Sequence, residues 1–125
     1  MPAKATRDQS DQVFRELKAI LAAFAPHLAV QTDDDTAYYL NTNKLDKNKK
    51  PIFFGGVNRR KNAIHFHLMP VYVFADLLSN LSPGLKARMQ GKSCFNFQQV
   101  DAGLFQELAA LTRAGFERYQ KEGMV

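Results

Sequence analysis

His65-Phe66-His67 sets two imidazoles two residues apart, and on a strand that spacing sends both rings to one face. The only cysteine, Cys94, opens a second alternating run in which Cys94 and Asn96 oppose Phe95 and Phe97. If the two strands lie near each other, His65, His67, Cys94 and Asn96 share a face. Imidazole with thiolate is a donor set suited to zinc, iron or copper. Zinc sites take three or four protein ligands, however, and no further donor stands at an obvious spacing. His65, His67 and Cys94 are therefore the candidate metal ligands, set against a plainer reading: a mixed polar face whose histidines bond to neighbours such as Tyr38 or Tyr39. A small-molecule pocket is the third reading. Tyr38, Phe53, His65, His67, Cys94 and Asn96 would line it if the stretch 71–89 folds over one end of the sheet.

Other motifs carry less. Gly91-Lys92-Ser93 has the ending of a phosphate-binding loop, but that motif needs a glycine where Lys86 stands, and Gly84 comes two residues too early. The order of elements also fails, because helix precedes this segment and strand follows it. The stretch reads as a turn into a strand. No serine, histidine or asparagine signature accompanies Cys94 as a nucleophile, and no complete catalytic constellation is visible. Asp33-Asp34-Asp35 lacks the spaced acids of a calcium loop and reads as a solvated turn.

The chain of 125 residues is the length of one domain, 1–125. One cysteine excludes an internal disulfide. The polar start lacks the apolar core of a secretory signal, and the longest apolar stretch, 64–78, is interrupted by His65, His67, Pro70 and Asp76, so no membrane span is expected. A cytoplasmic protein is the expectation. The net charge of +5 permits attraction to acidic partners, including nucleic acid. Lys44, Lys47, Lys49 and Lys50 fall in one loop and Arg59, Arg60 and Lys61 in another, at opposite ends of the strand between them. With most aromatics assigned to the core, solvated loops are favoured over a nucleic-acid surface.

These residues must be positioned by the elements around them. Val13, Leu17, Ile20 and Phe24 have helical spacing, with Ser10 or Asp11 as the cap and Pro26 as the stop. Strands are expected over 27–31, 36–42, 52–57, 63–69 and 93–99, and Gly55-Gly56 suggests a bulge or a close backbone approach. Pro70 breaks the fourth strand. A short helix over 71–81 and a second start at Ser82-Pro83 form a helical excursion. Asp101 caps a closing helix with Leu104, Leu108 and Leu111 on its stripe. The fold class is α+β: an antiparallel-rich sheet of about five strands, N- and C-terminal helices on one face, and a helical excursion before the last strand.

The run His65-Phe66-His67-Leu68-Met69-Pro70, then Leu81-Ser82-Pro83-Gly84-Leu85-Lys86, then Gly91-Lys92-Ser93-Cys94-Phe95-Asn96-Phe97 and the closing helix resembles the YdhG-like group of bacterial domains. The resemblance implies an α+β sandwich similar to frataxin in outline and, for some relatives, an iron-chaperone role. The dense acidic ridge of frataxins has no counterpart here, since Asp8, Asp11 and Glu16 stand among Arg7, Arg15 and Lys18. No functional residue carries over. A small domain that binds a small molecule or protein partner is the resulting expectation, with metal binding and weak nucleic-acid binding as alternatives.

Overall fold

Helix α1 (Arg7–Ala22) forms because Val13, Leu17 and Leu21 recur every fourth residue, and all three are fully buried. The computed structural model describes residues 7–61 and 63–125, with the side chains of residues 7 and 8 not described. Since the helix is already formed at Arg7, Ser10 and Asp11 lie inside it and do not cap it. Asp11 instead holds Arg59 at 2.9 Å. Pro26 sits in a short 3-10 turn (Ala25–His27) just past the end of the helix.

The five expected strands are present as β1 (Ala29–Asp33), β2 (Ala37–Leu45), β3 (Pro51–Arg59), β4 (Ile64–Leu68) and β6 (Cys94–Phe97). A sixth, β5 (Met89–Gln90), pairs with β6 around a turn at Gly91, whose φ of +76° suits glycine. Two residues carry no alternation, which is why β5 is invisible in the sequence. The segment before Gly91 is therefore strand, and Gly91-Lys92-Ser93 is a hairpin turn. All six strands form one antiparallel sheet in the order β1-β2-β3-β4-β6-β5.

The excursion differs from the single helix expected over 71–81. That stretch divides into α2 (Met69–Val73) and a 3-10 turn (Ala75–Leu78), with the break at the non-helical Phe74, while the second start expected at Ser82-Pro83 is present as α3 (Pro83–Lys86). Pro70 starts a helix directly after β4 and packs against Gly115, where an added Cβ would come within 2.9 Å of it. Ser82 caps α3 through Leu85 N, and Asp101 caps α4 (Ala102–Lys121) through Leu104 N, as their side chains suggest.

The helices gather on one side. Phe54, Phe66, Phe95 and Leu40 from the sheet meet Leu17 of α1 and Leu108 and Tyr119 of α4 in one buried core. Phe54 packs edge-on against both Phe116 and Tyr119. Alternation then sends the remaining side chains of the central strands to the opposite face.

Candidate functional site

Register brings the sequence candidates together on that opposite face. His65 pairs with Asn96 and His67 with Cys94 across the β4–β6 ladder. Phe53 joins them through an irregularity in β3. Leu40 pairs with Gly55 but the next residue, Asn41, pairs with Phe53, so Phe54 is the extra residue and the parity of the strand changes there. Phe53 consequently faces His67, ring centroids 5.4 Å apart and nearly perpendicular. Tyr119 fixes this bulge from the helix side by donating its hydroxyl to the Phe53 carbonyl at 2.9 Å.

Tyr38 does not join the group. It shares its parity with Leu40, is 4% exposed, and lies in the core under the Lys18 ammonium. Its neighbour Tyr39 takes the place on the open face, 6.2 Å from Phe53. The Tyr39 ring lies over Gly56, where any Cβ would collide with it. The expected close backbone approach is at Gly55, where an added Cβ would come within 2.9 Å of the His67 carbonyl oxygen, and the bulge falls on the adjoining Phe54. The signal for Tyr39 was present in the sequence: Leu40 is a core residue, so Tyr38 must share its side.

His67 is the centre of the polar contacts. Its Nε2 is 3.0 Å from Ser93 Oγ and its Nδ1 is 3.5 Å from Cys94 Sγ. In the neutral ring one nitrogen donates and the other accepts, so these two neighbours complete it. Burial lowers the His67 pKa and favours that neutral form. Burial also raises the Cys94 thiol, outweighing the opposing Ser93 hydrogen bond and the Arg60 charge. A neutral imidazole beside a protonated thiol is the opposite of an activated cysteine–histidine pair. His65 is lowered too, by burial and then by Arg60. Asn96 donates from Nδ2 to Gln90 Oε1 at 2.6 Å, while its buried Oδ1 has no partner among the described residues.

Among the described residues no group of three histidine, cysteine or carboxylate side chains is placed to hold a metal ion. His67 and Cys94 are close enough to act together, and His65 is displaced along the strand. The 71–89 excursion runs to the helix side, where α2 and α3 contact α4, and does not fold over this face. The candidates thus share one face of the sheet, apart from Tyr38. The two described cavities lie elsewhere. One of about 700 Å³ runs between α1 and the β1–β2 turn, bordered by Arg15, Asp35 and Arg59. The other, of about 290 Å³, is bordered by Phe24, His27 and Phe116. Asp34 in that turn is occupied locally, accepting from Thr36 N, Thr36 Oγ1 and Ala37 N. No helix among the described residues is long and apolar enough to cross a membrane. No protein-family model, curated protein or solved structure matches the chain.

Proposed function

We propose that this is a cytoplasmic binding module whose ligand surface is the helix-free face of the sheet, centred on Phe53, His67 and Cys94. The observation that carries this reading is the division of the sheet. One face is sealed by α1 and α4, and the other bears aromatic rings, imidazoles and carboxamides with no helix packed over them among the described residues. Apolar rings with a few polar groups among them are the composition of a recognition surface. The neutral state of His67 and Cys94 supports binding over covalent chemistry. The resemblance to YdhG-like domains supplies an outline and no ligand.

Chemical-shift mapping tests the reading. The protein is titrated in turn with a mononucleotide, an amino acid, a short peptide, a sugar and a short oligonucleotide. The expected result is that whichever probe binds shifts Phe53, His65, His67, Cys94 and Asn96 first. Binding that maps to α1 and α4, or turnover of any probe that Cys94→Ala abolishes while the fold is kept, overturns it.

A further inference from the structure

The charges of the domain are unevenly shared between its two sides. Apart from Asp33 on β1 and Asp46 in the β2–β3 loop, the described carboxylates sit on α1, on α4, in the segments leading into α3 and α4, and in the β1–β2 turn. Asp33 belongs to the helix side, where it pairs with Lys18 at 2.8 Å. Asp46, in the β2–β3 loop, is turned to its own backbone and accepts from Asn48 N and Lys50 N at 2.8 and 3.1 Å. The helix-free face therefore carries no carboxylate among the described residues.

Cations border it instead. Register places the β2–β3 loop and the β5–β6 turn at the same end of the sheet, because Leu45 pairs with Pro51 and Gln90 with Cys94. Lys44, Lys47, Lys49 and Lys50, with Asp46 among them, line that end, and Lys92 stands at the same end on the far side of β4; the five lysines are exposed and none has an ion-pair partner among the described residues. Arg60 stands at the other end, exposed, and its charge reaches both His65 and Cys94.

Between these borders runs a continuous row of rings. Tyr39 on β2, Phe53 on β3 and His67 on β4 follow one another at 6.2 and 5.4 Å, all partly exposed. Each ring comes from a neighbouring strand, so the row crosses the sheet at about the 4.8 Å strand spacing. The rings meet edge to face, at 70° and 88°, so each offers its own exposed face or edge rather than one shared plane. Exposed rings flanked by unpaired cations are the two components of single-strand recognition: bases stack on individual rings while the phosphates meet the cations. A duplex keeps its bases stacked on each other and cannot use the rings.

We propose that the helix-free face binds single-stranded nucleic acid, with bases on the Tyr39, Phe53 and His67 rings and the backbone along Lys44 near the end of β2, the lysines of the 46–50 loop and Lys92. The proposal rests on the reading of this face as the ligand surface, and it names the ligand. Charge complementarity selects it over a second copy of the chain, since two copies, each of net charge +5, would bring the same basic borders against each other.

Fluorescence anisotropy with a labelled oligothymidylate of about twelve nucleotides tests it, against an unlabelled duplex of the same length. Wild-type protein is expected to bind the single strand in preference to the duplex. Its log K should fall against log salt with a slope near −2, as about three neutralised phosphates require. Phe53→Leu and Tyr39→Leu, which keep an apolar side chain, should each weaken binding roughly tenfold at constant salt, the scale of one lost stacked base. Lys47→Glu/Lys50→Glu should weaken it and flatten the salt slope. Thermal melts of every variant separate lost binding from lost folding. No binding at low salt, equal affinity for the duplex, or affinity untouched by both ring variants overturns the proposal, as does a dimer that the ring variants dissociate. If the oligonucleotide fails while another probe still shifts Phe53 and His67, only the ligand assignment is lost. If every probe maps to the helices, the face itself is lost.

Discussion

The Nδ1 of His67 lies 3.5 Å from the Sγ of Cys94, directly across the β4–β6 ladder. The contact joins a weak donor to a ring that burial keeps neutral, so both groups resist taking on charge. That resistance is measurable from either partner.

On the histidine side, the folded pKa is lowered relative to the unfolded chain, so the unfolded chain binds the proton more readily. The stability His67 contributes is present above the unfolded value of about 6.5 and is lost as pH falls through the lowered folded value. His65 shifts in the same direction and adds the same sign. Thermal melts taken from about pH 8 down to about pH 5 should show a falling midpoint, and His67→Gln should flatten part of that fall. Equal pH slopes in wild type and in a His65→Gln/His67→Gln variant would contradict this.

On the cysteine side, burial outweighs the Ser93 hydrogen bond and the Arg60 charge, so the thiolate forms later than in a free thiol. Iodoacetamide should modify Cys94 more slowly than free cysteine at neutral pH, and Arg60→Gln should slow it further. A mass-spectrometric time course measures both. A rate above that of free cysteine would show an activated thiol and remove the argument.

The Tyr39 ring occupies the space above Gly56, where any Cβ would collide with it. Gly56→Ala should therefore destabilise the domain by about 1–3 kcal/mol in urea denaturation, the usual range for overpacking. Adding Tyr39→Ala should recover part of the loss, since the clash needs both partners. Additive effects in the double variant would place the strain elsewhere.

Ser82 ties the excursion to α4. Its hydroxyl accepts from Leu85 N at 3.1 Å and donates to Glu107 Oε1 at 2.6 Å, while its amide donates to Glu107 Oε2 at 2.8 Å. Ser82→Ala removes the cap and one of the two carboxylate bonds, an expected loss of about 1–2 kcal/mol. Glu107→Gln should cost less, because the amide retains one acceptor. The ordering of the two variants by denaturation midpoint is the check.

Much of this architecture was legible as alternation. Ile64, Phe66 and Leu68 against His65 and His67, and Phe95 and Phe97 against Cys94 and Asn96, assign two strands and both of their faces without reference to neighbours. The conditional step was pairing, because alternation gives each strand its faces but not its partner. Phe53 and Tyr38 show the other limit. The segment Tyr38-Tyr39-Leu40 is apolar on both sides, so its composition leaves the open-face tyrosine ambiguous until Leu40 is assigned to the core. In β3 the extra residue Phe54 shifts the parity midway, and only the register with β2 reveals where. The early start of α1 was obscured by good capping residues, Ser10 and Asp11, lying within a helix that had already begun.

The two borders of the sheet have a consequence for how the domain keeps its own company. One border is β5, only two residues long, and the other is β1, whose register is broken between Val30 and Thr32. Short and bulged margins are poor templates for a further strand, so growth into a fibre by lateral addition is blunted at both ends.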